Sequence, residues 1–181
     1  MVQKKLFNTS IKLIVAGSRS IKDFDLVSSL IEQTIKTAQL EVSYIISGCA
    51  RGVDKLAERW ALENNVPVMQ CPAQWSDISD PKAQIKYNQQ GKPYNKLAGL
   101  WRNEKMAELG DAVLIIHDGK STGSTHMKKI AQDKNIPVFY HVVDLPRYTE
   151  NNTVKFATEI SEWASNIISN ETEVVVIDTE S

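Results

Sequence analysis

Five short apolar runs, separated by stretches of helical periodicity, constrain this chain more than any other feature. They are "IKLIVAG" from Ile11, "VSYIISG" from Val42, "VPVMQCP" from Val66, "DAVLIIHDG" from Asp111 and "IPVFYHV" from Ile136. Their β-branched residues and short length mark strands buried on both faces. Between them, Leu26, Leu30, Ile31 and Ile35 recur at helical spacing, and Asp54 to Asn64, Leu97 to Leu109 and Gly123 to Lys134 read as further helices. Strands that alternate with helices call for right-handed crossovers and a parallel sheet. The expected architecture is α/β: a Rossmann-like three-layer sandwich with a mainly parallel sheet, occupying residues 1–149.

Two segments fall outside the alternation. Residues 72–96 are polar, carry Trp75, Tyr87 and Tyr94, and read as a lid or insertion. Residues 150–181 offer a helix at Phe156, Ile160, Trp163 and Ile167, then the run Val174 to Ile177. That helix is expected to pack on the same domain, and the run to form an edge strand or to pair between subunits. A homodimer or higher homo-oligomer is the expected assembly.

Charge is unevenly placed. Residues 150–181 hold seven acidic side chains and one lysine, a net of -6 against -1 for the whole chain, which leaves +5 for the rest. A mildly positive body suits phosphate-bearing ligands. It lacks the arginine-rich stripe of a single-strand binder, so a nucleic-acid partner is not expected. No apolar run approaches the ~20 residues of a membrane helix, and the first residues lack the apolar core of a signal peptide. Cys49 and Cys71 have no metal-type spacing, so a cytoplasmic location and no metal are expected.

In open parallel sheets, ligands bind beyond the carboxyl ends of the strands. Three loops lie there. "GSRS" supplies Gly17, Ser18 and Arg19. "SGCARG" supplies Ser47, Gly48, Arg51 and Gly52, with Asp54 just inside the next helix. "DGKSTGST" supplies Asp118, Gly119, Ser121, Gly123, Ser124 and Thr125. Glycines admit close backbone approach, helix starts offer N–H groups and a favourable dipole, and arginines fork onto phosphate oxygens. The blander readings are that each glycine only turns the chain, that Arg51 is solvated and that Asp54 balances a helix dipole. Cys49 sits at a helix start, where a thiolate is favoured; a small residue in a tight turn is the plainer explanation. Trp60, Trp101 and Trp163 fall on apolar helix faces and read as core, while Trp75 is the candidate for stacking on a base. Neither the dinucleotide fingerprint nor the Walker loop is present.

Three segments taken in order, "VAGSRS", "SGCARGVDKLAERWA" and "AGLWRNEKMAELGDAVLIIHDGKSTGSTHM", resemble the SLOG superfamily, and within it the small stand-alone branch related to YspA, found in bacteria and phages. The superfamily also holds the DNA-processing protein Smf/DprA and the LOG phosphoribohydrolases. The resemblance covers roughly Ile11 to His141. It implies a Rossmann-like fold that binds a nucleotide or nucleotide-derived ligand, such as an ADP-ribose-like compound or nucleoside phosphate, and no other cofactor. The protein would act as a sensor or sequestering module, with nucleotide N-glycosidic hydrolysis and DprA-like single-stranded DNA binding as the alternatives.

LOG-type enzymes carry an arginine in "RKxxM" and a glutamate in "PGGxGTxxE". Here "RNEKM" places Arg102, with Asn103 beside it, and Met106 on the first pattern. "GKSTGSTHM" places Gly119, Gly123 and Ser124 on the second, with Met127 where the glutamate would stand. A thioether is neither acid nor base. Arg102, Asp118 and His126 are the remaining catalytic candidates.

Overall fold

The computed structural model describes residues 9–143. The C-terminal helix, the Val174 to Ile177 run and the acidic tail lie outside the described residues, as does Trp163.

The apolar runs form one five-stranded sheet. β1 (Ile11–Gly17), β2 (Val42–Ser47), β3 (Val68–Gln70), β6 (Ala112–His117) and β7 (Val138–Val142) stand in the order β3-β2-β1-β6-β7. Every neighbouring pair is parallel. Side chains alternate between the two faces, as the strand period of two requires. Leu13, Val15, Leu114 and Ile116 face one apolar layer, and Ile14, Ala16, Val113 and Ile115 the other.

Helices α1 (Phe24–Thr37) and α2 (Val53–Glu63) cover the first face, where Leu30, Ile31, Ala57 and Trp60 complete the core. Helices α3 (Ala98–Leu109) and α4 (Thr122–Asp133) cover the second with Met106, Met127 and Ile130. Asp23 caps α1 by accepting from the Leu26 N–H at 3.1 Å, and Ser121 caps α4 through the Ser124 N–H at 3.3 Å. These side-chain oxygens satisfy donors that a helix start leaves free.

Helices α1, α2 and α4 end alike. Gln39, Asn65 and Asn135 take positive φ. The N–H groups of the residues that follow, Leu40, Val66 and Ile136, return to the carbonyls of Ile35, Ala61 and Ala131 at 2.9, 2.8 and 2.8 Å. This left-handed stop turns the chain from each helix towards its next strand.

Residues 72–96 are not structureless. They include an antiparallel hairpin of β4 (Ile85–Tyr87) and β5 (Pro93–Asn95), with Lys86 opposite Tyr94. The turn is held by Asn88, whose side-chain oxygen accepts from the N–H groups of Gln90 and Lys92 at 2.9 and 3.0 Å. Strands of three residues are too short to show a period. Trp101 also departs from its expected place: it is half-buried and outside both core clusters, whereas Trp60 is core. Among the described residues, no helix is long and apolar enough to cross a membrane.

Candidate functional site

The strand order reverses between β1 and β6, and a crevice opens at such a point because the flanking loops diverge to opposite faces. A cavity of about 550 Å³ lies at this rim. Gly17, Arg19 and Ser20 line it from the exit of β1, Ala50 from the approach to α2 and Asp54 from its first turn, and Trp75 from the segment before the hairpin. Lys96, Gly99, Leu100, Arg102, Asn103 and Met106 come from α3 and its approach, Asp118, Lys120 and Ser121 from the loop into α4, and Thr122 and Gly123 from the first turn of α4.

Two aspartates tie these loops together. Asp118 links the first and third. Its Oδ1 accepts from Ser18 Oγ at 2.8 Å and from the N–H groups of Lys120 and Ser121 at 3.0 Å each, and its Oδ2 accepts from Ser20 Oγ at 2.5 Å. Its own N–H returns to Ser18 Oγ at 3.0 Å. Burial alone would raise the Asp118 pKa, but the Ser20, Lys120, Ser18 and Ser121 donors outweigh it and hold the carboxyl well below the usual range.

Asp54 links the second loop to α3. It is 3% exposed, accepts from the Ala50 N–H at 3.2 Å and lies 3.5 Å from Arg102 Nη1. Burial pushes its pKa up to about 6, against the opposing pull of Arg102 and of the Ala50 and Gly17 N–H groups. Arg102 Nη1 also donates to the Gly48 carbonyl. A Cβ at Gly48 would run into the guanidinium, so this glycine makes room for the arginine. Gly52 has φ +78°, and a Cβ there would press on the Ser18 carbonyl at 2.5 Å; it lets the second loop lie against the first.

A third set of bonds shapes the loop into α4. His117 ends β6, its Nε2 donating to the Ser121 carbonyl at 3.0 Å. Its Nδ1 accepts from the Gly119 N–H at 2.9 Å, and the Tyr140 hydroxyl lies 2.9 Å from the same nitrogen. An Nδ1 that receives an N–H carries no proton, which fixes the tautomer. Among the described residues, the N–H groups of Thr122 and Gly123, at the first turn of α4, have no acceptor within the protein.

Gly17, Arg19, Asp54, Trp75, Arg102, Asn103, Asp118, Ser121 and Gly123 therefore meet at one cavity. Other residues expected there do not reach its wall. Ser18 is buried beneath it, and Ser47 turns inward to donate to Glu58 Oε1 at 2.7 Å. Gly48 and Gly52 shape the loop, Arg51 is exposed away from the cavity, and Gly119 N–H is spent on His117. Ser124 Oγ and Thr125 Oγ1 bond back to Ser121 at 3.0 and 3.1 Å. His126 lies behind the wall, its Nδ1 3.3 Å from Asn103 Nδ2. The Cys49 thiol gains nothing from the helix start: burial first, then Glu58, pushes its pKa up. Sequence reasoning passed over Ser20, Lys96, Leu100, Lys120 and Thr122. Lys120 and Thr122 sit inside the "DGKSTGST" loop, so proximity to its glycines was the available signal.

Met127 has no exposed surface and packs in the apolar layer with Ala107, Ile130 and Val138. The position aligned with the LOG glutamate thus faces the core and not the cavity.

Residues 11–77 match the model of the YspA, cpYpsA-related SLOG family. Over that span the chain is similar to SLOG proteins. Its fold is shared with DNA processing protein A from Streptococcus pneumoniae at a TM-score of 0.54 and 22% identity, covering 92% of this chain and 59% of that one. The chain therefore spans less than two thirds of that neighbour. DNA processing protein A from Helicobacter pylori, solved for its single-stranded DNA binding mode, matches with a TM-score of 0.51 and 21% identity, over 90% of this chain and 80% of that one. At these identities the likeness is one of fold. No curated protein matches the sequence.

Proposed function

We propose that the cavity binds a nucleotide or nucleotide-derived phosphate ester, and that the protein acts as a sensor or sequestering module. The observation that carries this reading is the set of donors gathered at one rim. The Thr122 and Gly123 N–H groups open α4, and Arg19, Lys96, Arg102 and Lys120 surround the same space. Amide donors backed by a helix dipole and flanked by cations favour phosphate. Trp75 adds an aromatic wall for a base: it lines the cavity, stands edge-on to Tyr94 at 6.4 Å and is 41% exposed. Hydrolysis of the N-glycosidic bond is the weaker reading, because Met127 is core and both Asp118 oxygens already serve the loops.

Calorimetry with mono-, di- and cyclic nucleotides, NAD and ADP-ribose tests the proposal, together with mass spectrometry of small molecules released on denaturation. Heat from at least one compound is expected; none from any, with no co-purified nucleotide, would sink it. A second reading is single-stranded DNA. It is favoured by the hairpin, where Tyr87 is 70% exposed beside Ile85 and Lys86, since stacking aromatics with nearby lysines suit a flexible polyanion. Fluorescence anisotropy with an oligothymidylate separates the two. Self-association and a cytoplasmic location remain part of the proposal, and light scattering at micromolar concentration tests the first.

A further inference from the structure

The Asp54–Arg102 pair is poorly matched for two groups that share so little water. The Arg102 side chain is 13% exposed and the Asp54 side chain 4%, yet the nearest approach is 3.5 Å, long for a charge-assisted bond. Arg102 Nη1 is shared with the Gly48 carbonyl, and Arg102 Nε is buried with no acceptor at all. A guanidinium on a cavity wall with one contested donor and one idle donor is short of anionic acceptors. Asp54 lines the same cavity, so any anion that satisfies Arg102 arrives beside a carboxylate that water screens poorly.

We propose that anion binding in this cavity is coupled to protonation of Asp54: the ligand's phosphate takes over Arg102, and Asp54 sheds its charge by taking one proton from solvent. The inference rests on the nucleotide reading and adds to it the site's regulation by pH. Two like charges within a few ångströms in a poorly solvated place do not both persist, and the more easily protonated one is neutralised. Asp54 is that one, since its carboxyl already sits far above the usual aspartate range in the free protein, whereas a phosphodiester or pyrophosphate stays ionised at all pH values near neutral.

The charged and titratable groups around Asp54 agree with this assignment. Arg102 faces it from α3. Glu58 stands one turn further along α2 and is held ionised, because bonds from Lys55, Ser47 and Gln70 overcome its burial. Arg19, Lys96, Lys120 and Asp118 share the cavity. Asp118 takes donors on both oxygens and stays ionised. The Cys49 thiol in the second loop is held protonated by burial. His117 has both ring nitrogens bonded within the loop into α4. His126 reaches the wall only through Asn103 and is the competing proton acceptor that needs its own control.

The probes are ADP-ribose, NAD and a cyclic mononucleotide, whose phosphates do not titrate between pH 5 and 8. Calorimetry at pH 7 in buffers of different ionisation enthalpy counts protons. The expected result is uptake of about one half to one proton per ligand, with affinity tightening about tenfold from pH 8 to pH 6. Asp54→Asn keeps the shape, and should abolish the uptake, flatten the pH profile and bind more tightly than wild type at pH 8. His126→Gln should leave the uptake in place. Carboxyl-carbon NMR of the wild type should place the Asp54 midpoint at about 6 without ligand and above about 7 with it. Binding without proton uptake, or uptake that survives Asp54→Asn and disappears in His126→Gln, overturns the coupling and leaves the nucleotide reading standing. Absence of binding by all three probes and the wider panel overturns that reading and the coupling with it.

Discussion

Asp118→Ala is the perturbation whose cost follows most directly from the geometry. The carboxylate accepts four hydrogen bonds, two from the Ser18 and Ser20 hydroxyls and two from the Lys120 and Ser121 N–H groups. Bonds to a charged acceptor contribute about 1.5–3 kcal/mol each when taken singly, but the four share one group and do not add. Three are discounted further, because water can replace the aspartate at Ser20, Lys120 and Ser121, none of which is buried. Ser18 is fully buried, and its stranded hydroxyl alone costs about 1–3 kcal/mol. The expected loss is about 2–4 kcal/mol, read by urea unfolding as a lower midpoint with an unchanged slope. Asp118→Asn keeps one carbonyl acceptor and should lose about half as much. The pH dependence gives an independent check. A carboxyl held below its unfolded pKa of about 3.9 stabilises the fold above that value and loses the contribution as pH falls below it. The gap between wild type and Asp118→Ala should hold steady from pH 8 to 5 and shrink below about pH 4. A gap under about 0.5 kcal/mol at pH 7, the scale of an ordinary surface substitution, or one that does not shrink in acid, refutes the argument.

His141 is buried, burial holds its pKa below the ordinary histidine range, and its Nε2 lies 3.2 Å from Thr34 Oγ1, which donates to the Leu30 carbonyl. The folded state therefore favours the neutral ring; its full contribution is present above about pH 6.5 and is lost as pH falls below that value, so melting temperatures of wild type and His141→Gln should converge on going from pH 7 to pH 5. Met127→Glu puts a carboxylate into an apolar layer and should cost at least about 3 kcal/mol of stability, while chromatography of AMP, CMP, GMP and UMP shows no free base; released base would reverse the reading of that position. Arg102→Ala should weaken nucleotide binding by about 1.5–3 kcal/mol in calorimetry and, by removing the cation that lowers it, raise the Asp54 midpoint seen by NMR.

The sheet was legible because buried strands advertise themselves through β-branched runs, and the loops because glycine and serine cluster where a chain must turn sharply. What each loop residue does was less legible, for a physical reason. Ser18, Ser47 and Ser124 read like donors aimed at a ligand, yet each hydroxyl finds its partner inside the protein, on Asp118, Glu58 and Ser121. A buried hydroxyl is costly without a partner, and a chain that brings three loops together needs such bonds as much as a ligand does. Ser18 and Asp118 stand 100 residues apart, and nothing local in "GSRS" or "DGKS" says that they pair. The same holds for Gly48. Its neighbours suggest phosphate approach, but the space it frees belongs to Arg102, 54 residues away. Lys96 and Lys120 were passed over because an isolated lysine in a polar loop is the least informative of signals, and only the shared cavity distinguishes them from solvated ones. Composition can therefore point to the rim where polar and glycine-rich loops gather, but dividing their polar groups between cavity and scaffold requires the long-range pairing that folding alone supplies.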